Sequence, residues 1–160
     1  MTTTRVLFVC LGNICRSPAA EGVFLHQIAQ RGLEDHFVVD SAGTGGWHVG
    51  RRADERMRAA AERRGISLSS RARQIALGDL HSFDHILTMD ADNLAAVQAL
   101  AREAGNPDGQ ASIEALTRYC RRHSGTREVP DPYYGGAQGF EHVLDLLDDA
   151  CAGLLEELLR

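Results

Sequence analysis

Arg5-Val6-Leu7-Phe8-Val9-Cys10-Leu11-Gly12-Asn13-Ile14-Cys15-Arg16-Ser17-Pro18 is the stretch on which the fold turns. Its first five residues have the β-branched and aromatic content, and the length, of a buried strand. Ser17 reads as a helix N-cap, and Pro18 suits the first helical position. The helix is expected to run to about Arg31, with Ala20, Val23, Phe24 and Ile28 facing inward and Gly32 as its stop. Strand, tight loop and helix therefore follow one another without a linker.

That order of elements builds an anion site. The first amides of a helix have no internal partner and point at whatever the loop holds, and successive loop amides can converge as a nest. Gly12 and Asn13 are residue types that tolerate the positive φ such a loop needs. Cys10 and Arg16, six apart, can place a sulfur beneath a phosphorus and a planar guanidinium beside its oxygens. With four cysteines and 17 basic residues in 160, a chance pair at that spacing is unsurprising. The context carries the signal, since none of the other cysteines has an arginine six residues on. The positive surroundings should keep the Cys10 sulfur ionised near neutral pH. Ser17 could donate its hydroxyl to that sulfur. The combination is suited to taking a phosphoryl group onto sulfur. The plain alternative is a buried cysteine at a strand end with a surface arginine nearby.

A length of 160 residues predicts one domain, residues 1–160. The net charge of −5 argues against nucleic acid as a partner. All 17 basic residues are arginine, which excludes a Schiff-base lysine and the lysine of a nucleotide-binding Gly-rich loop. No apolar run approaches the roughly 18 residues of a membrane span, and no signal peptide is evident. Cys10, Cys15, Cys120 and Cys151 lack the paired spacing of a zinc site, so a reduced, cytoplasmic protein without a bound metal is expected.

Outward from the first loop, strand-like and helical segments alternate. Phe37-Val38-Val39 and Phe83 to Met89 read as strands, and Ala53 to Arg64 and Ala91 to Glu103 as helices. The apolar positions from Phe140 to Leu158 recur at helical spacing. Ala111 to Cys120 permits a helix, but the sheet needs a fourth strand, for which Ile113 to Leu116 is best placed. Alternation predicts an α/β, doubly wound sandwich: a four-stranded parallel sheet with helices on both faces. Ligands in such sheets sit beyond the C-terminal strand ends, where Cys10 would lie.

Transfer to sulfur needs a proton for the departing oxygen. Asp131 has unusual surroundings, Pro130-Asp131-Pro132-Tyr133-Tyr134-Gly135-Gly136. Flanking prolines stiffen its loop, as suits a residue that must hold a proton about 3 Å from a leaving oxygen. Tyr133 and Tyr134 can wall a pocket; an Asp-Pro turn with two surface tyrosines is the other reading. Trp47, the single tryptophan, lies in a Gly-rich loop rather than a periodic core pattern.

At this point the chain resembles the low-molecular-weight protein tyrosine phosphatases over nearly its whole length. The likeness rests on Val9 to Pro18 and Asp131 to Gly135, with Asp40 to Thr44, Ala72 to Ile75 and Phe83 to Asp90 between them. The resemblance implies hydrolysis of protein phosphotyrosine and small aryl phosphates through a cysteinyl phosphate, with no metal and no cofactor. It implies Cys10 as nucleophile, Arg16 as phosphate ligand and Asp131 as general acid and then base. Residues from Leu11 through Gly12, Asn13, Ile14, Cys15 and Arg16 to Ser17 would hold the phosphate or another oxyanion. Trp47, Tyr133 and Tyr134 would border the cleft for a tyrosine-phosphorylated protein, with no nucleic acid or membrane as partner.

Asn13 and Ser41 would hold the loop in shape. Many relatives carry a histidine where this chain has Ser70; Ser70 or a water beside it is then expected to satisfy Asn13. Cys10 and Cys15 would form the family's reversible redox pair. Arginine phosphatases of the same fold tend to carry threonine where this chain has Ile14, so the apolar side chain favours an aryl substrate. A phosphotyrosine-binding protein without turnover is the remaining alternative.

Overall fold

The computed structural model describes residues 2–160. Four strands, β1 (Thr4–Cys10), β2 (Phe37–Gly43), β3 (His85–Thr88) and β4 (Ser112–Ala115), form one sheet in the order β2-β1-β3-β4. Every neighbouring pair is parallel. The helices are α1 (Arg16–Gln30), α2 (Glu55–Glu62), the short α3 (Asp79–Ser82), α4 (Ala91–Ala104) and α5 (Ala137–Leu158). Single 3₁₀ turns cover Glu34–His36 and Leu116–Tyr119.

The two-residue period of β1 splits the interior. Val6, Phe8 and Cys10 join Val23, Phe24, Leu144 and Leu147 on the face covered by α1 and α5. Leu7 and Val9 join Leu80, Ile86 and Val97 on the face covered by α3 and α4. A strand buried on both faces must be apolar throughout, which is what Val6 to Val9 provides. Phe24 of α1 stands edge-on to Phe8 and Phe37, with ring centroids 5.7 and 5.4 Å away. The expected α/β sandwich with helices on both faces is thus the observed one.

The bounds of three strands differ from expectation, and the helix expected from Ala53 to Arg64 is confined to Glu55–Glu62. β2 continues to Gly43 because Asp40 to Gly43 stay paired with Leu7 to Cys10 of β1. β3 is confined to His85–Thr88, the four residues that pair with both β1 and β4. The fourth strand is Ser112–Ala115, and the chain then tightens into a 3₁₀ turn instead of a helix. Chain connections run in opposite directions from β1 and β3, so the C-terminal end of β1 lies at the switch point where open parallel sheets hold ligands.

Candidate active site

β1 ends at Cys10 and α1 begins at Arg16, so five residues make the turn from strand to helix. Asn13, at φ 59°, takes the left-handed conformation that the reversal requires. Cys15, not Ser17, occupies the N-cap, and no side chain caps the helix. This corrects the expected start. The Ser17 hydroxyl is turned to the sulfur, 3.0 Å from Cys10 Sγ, and so does not reach the helix's own amides. Those amides stay free for an anion.

Behind the sulfur runs a connected set of hydrogen bonds. The Asn13 backbone N–H points at Cys10 Sγ across 3.3 Å. The Asn13 amide donates to Ser17 Oγ at 2.8 Å and to Ser41 Oγ at 2.9 Å. Its carbonyl oxygen accepts from the backbone N–H of Arg73 at 3.0 Å. Ser41 in turn donates to Glu21 Oε1 at 2.6 Å. The expectation for Ser70 is therefore corrected. The Arg73 N–H takes the carbonyl that Ser70 or a water was expected to satisfy, and Ser70 instead lines a small cavity beside Glu21.

Arg16 is almost fully buried and faces the same cleft. Its Nη1 donates to Asp90 Oδ2 at 2.6 Å and to the Val129 carbonyl at 3.0 Å, which leaves the other edge of the guanidinium toward the cleft. Asp90 N-caps α4 in a reciprocal capping box with Asn93. Burial alone would raise its pKa, but the Asn93 N–H and Arg16 outweigh that and hold it below the usual carboxylate range. Asp90 thus stays charged and keeps Arg16 in place.

Asp131 comes from the far end of the sequence. Its Oδ2 lies 3.7 Å from Arg16 Nη2, and its Oδ1 accepts from the Tyr133 N–H at 3.0 Å. About 42% of its side chain is exposed, so a proton can pass between it and water. Its loop is pinned to α2: Arg56, itself held by Asp54, donates to the Tyr133 carbonyl at 2.9 Å and lies over the Tyr133 ring.

Cys10, Leu11, Gly12, Ile14, Cys15 and Arg16 line one cavity of about 110 Å³ with Trp47, His48, Asp131, Tyr133 and Tyr134. Asn13 and Ser17 lie behind this wall, in the supporting network. Trp47 and Tyr134 are largely exposed at the rim. Burial, followed by the nearby Asp54, Cys10 and Asp131, pushes the Cys15 thiol far above its usual range. The four cysteines are free thiols.

Sequence reasoning did not single out Asp90, Glu21, Arg73 or Asp54 as site residues. Asp90 had a readable signal, an Asp three residues before Asn at a helix start. The others become neighbours of the loop only through tertiary packing.

Comparison with known proteins agrees with this geometry. Residues 5–160 match the family model described as low molecular weight phosphotyrosine protein phosphatase. A low molecular weight protein-tyrosine-phosphatase of Bacillus subtilis is 42% identical over 156 residues, covering 97% of this chain and 96% of the relative. The crystal structure of a protein tyrosine phosphatase from Entamoeba histolytica with Hepes in its active site superposes with a TM-score of 0.89. It is 41% identical, and the match covers 98% of this chain and 97% of that one. A Drosophila arginine phosphatase superposes at 0.88 with 32% identity and 96% of each chain covered.

Proposed function

The chain belongs to the low molecular weight phosphotyrosine protein phosphatase family, and from that premise we propose that it hydrolyses protein phosphotyrosine, and small aryl phosphates, by way of a phosphorylated Cys10. In the first half-reaction the Cys10 sulfur forms a bond to phosphorus as the bond to the tyrosyl oxygen breaks, and Asp131 gives that oxygen its proton. In the second, Asp131 takes a proton from water as the water oxygen attacks phosphorus and the sulfur departs, with the Ser17 hydroxyl beside it. The Arg16 guanidinium and the loop amides between Leu11 and Arg16, apart from that of Asn13, which is turned to the sulfur, face the charge on the equatorial oxygens in both steps. They are already oriented before reaction, so little reorganisation is needed.

One observation carries the reading: sulfur, guanidinium and a solvent-reached carboxylate, from positions 10, 16 and 131, open onto the same cavity of about 110 Å³. The test is phosphate release from phosphotyrosine. Cys10→Ser is expected to abolish turnover while still binding phosphate analogues, and Asp131→Asn to slow turnover by about 10²–10⁴-fold. Full activity of Asp131→Asn on an aryl phosphate with a poor leaving group would remove Asp131 from its role. Tight binding without phosphate release by wild type would revive the non-catalytic alternative.

The arginine phosphatase among the structural neighbours makes phosphoarginine the second substrate to try. Ile14 on the cavity wall presents an apolar surface suited to an aromatic ring, so a clear preference for phosphotyrosine is expected. Trp47, Tyr133 and Tyr134 would receive the ring and its flanking peptide.

Cys10 and Cys15 share the cavity and make a reversible oxidation pair. Peroxide converts the Cys10 thiolate to a sulfenic acid, and the Cys15 thiol then displaces water to close a disulfide. Treatment with peroxide and then dithiothreitol should restore wild type but leave Cys15→Ala irreversibly inactive; equal recovery of both would refute the pairing. Free thiols at all four cysteines fit a reducing, cytoplasmic location.

A further inference from the structure

Glu21 lies on α1, one turn beyond the loop, and the reaction as described makes no use of it. It is nonetheless the end of the chain of bonds that reaches the sulfur. Counting protons fixes the direction of that chain. A carboxylate only accepts, so at 2.6 Å the single hydroxyl proton of Ser41 goes to Glu21. Ser41 is then an acceptor toward Asn13. The Asn13 amide can place one hydrogen on Ser41 and the other on Ser17 without conflict. Ser17, having accepted from Asn13, keeps its own proton for Cys10 Sγ at 3.0 Å, closer than the Ala42 carbonyl at 3.4 Å.

We infer that Glu21 is a positioning residue for the phosphatase reaction, whose ionised carboxylate sets the donor direction through Ser41, Asn13 and Ser17 so that the Ser17 proton faces the nucleophilic sulfur. The inference rests on the functional reading above and adds a residue to it. The same bonds hold Asn13 at its positive φ, so Glu21 also stiffens the loop that receives phosphate. When Glu21 carries a proton it can donate to Ser41. Ser41 must then turn its own proton away, toward the amide hydrogens of Asn13, and the chain loses its direction.

Protons have a route to this carboxyl. A small cavity of about 20 Å³, lined by Pro18, Leu25, Ser69 and Ser70 among others, opens beside Glu21 and has room for about one water. The charged groups around Glu21 are Asp40 of β2, which disfavours its ionisation, and Arg73, which favours it, while the Ser41 and Ser70 hydroxyls support the ionised form. Burial dominates these and moves the carboxyl above its ordinary range. The carboxyl therefore takes up a proton more readily than a free glutamate does as pH falls.

The experiment compares wild type, Glu21→Gln and Glu21→Leu, each checked for cooperative thermal unfolding. Two readouts need no turnover: the rate of Cys10 alkylation by iodoacetate, and inhibition of that alkylation by inorganic phosphate. Glu21→Leu, which cannot accept from Ser41, should bind phosphate and react with iodoacetate about tenfold less well. Glu21→Gln keeps an acceptor oxygen and should stay within about threefold of wild type at neutral pH. The ratio of wild-type to Glu21→Gln alkylation rates, in which titrations common to both cancel, should fall by about threefold or more between about pH 7.5 and 4.5.

A flat ratio across that range overturns the inference. So does a folded Glu21→Leu whose phosphate inhibition and alkylation match wild type. If wild type fails to release phosphate from phosphotyrosine, the functional reading fails by itself, while these two readouts still decide the role of Glu21.

Discussion

Asp90 decides the orientation of Arg16 more than any property of Arg16 itself. An arginine carries about 2 kcal/mol of side-chain entropy when free, and two bonds on Nη1 remove much of that freedom before any phosphate arrives. Replacing Asp90 should then affect catalysis although it lies behind the guanidinium. Asp90→Ala is expected to lower kcat/KM on p-nitrophenyl phosphate by about 100-fold through misplacement of Arg16. Loss of the α4 cap should cost about 1 kcal/mol of stability in the same variant. Asp90→Asn keeps a cap and an acceptor and should lose about tenfold in kcat/KM. Steady-state kinetics and thermal melts of both variants separate the two effects; an Asp90→Ala enzyme with unchanged kcat/KM would dissociate Asp90 from Arg16 function. At this scale Cys10, Arg16 and Asp131 were legible because their spacing and neighbours are chemical signals in themselves. Ser17 was legible as a polar residue at a helix start, but its partner was not, since a hydroxyl that can cap can equally turn to a nearby sulfur.

Among the elements, the end of β2 matters most, because it runs directly against the phosphate loop. Thr44 and Gly45 donate to the carbonyls of Cys10 and Leu11, both at 2.9 Å, so the strand pair continues into the loop. A Cβ on Gly43 would sit 2.7 Å from the Leu11 carbonyl oxygen and 3.1 Å from the Asn13 nitrogen, both backbone atoms that cannot swing aside. Gly43→Ala should therefore cost about 1–3 kcal/mol and push the loop off the sulfur. A shift of about 1 Å there should reduce kcat/KM on the order of 100-fold. Normal melting and normal kinetics for Gly43→Ala would show that the loop yields freely. The sequence placed Trp47 in a Gly-rich loop but carried no sign that Gly43, just before it, touches residues 11 to 13. Helix periods and strand runs were readable because burial repeats along the chain; strand ends were not, because pairing with a neighbour, rather than composition, decides where β2 and β3 stop.

Across the whole molecule, two poorly exposed carboxyl groups respond to pH in opposite ways. Asp149 of α5 accepts from the backbone N–H groups of Arg121, Arg122 and His123 and from the His123 ring. Burial would raise its pKa from 3.8, but these donors outweigh burial and hold it at about 2. A depressed folded-state value stabilises above the ordinary pKa and is lost as pH falls through about 2, a contribution of about 2 kcal/mol near neutrality. Glu21 has the opposite sign. Its raised value favours the folded state below the ordinary 4.5, and that contribution disappears as pH rises through the folded-state value. Asp149→Asn should accordingly lower stability by about 2–3 kcal/mol at pH 7 and by progressively less toward pH 2, followed by denaturant unfolding across pH. A loss that does not depend on pH would assign Asp149 a packing role only.

The sequence by itself determined the alternation of strands and helices, the sheet's parallel sense and the three side chains to which the proposed reaction is assigned. Each of these follows from local periodicity or from chemistry carried within a few consecutive residues. The tertiary structure alone decided what stands behind and around them. Asp90 holds Arg16, Arg73 and Ser41 hold Asn13, Glu21 ends the hydrogen-bond chain, and α2 pins the loop of Asp131. Those partners lie 20 to 77 positions from the residues they bond. Hydrogen bonds depend on distances of about 3 Å between atoms, and only the packed sheet and its helices bring such remote positions within that reach.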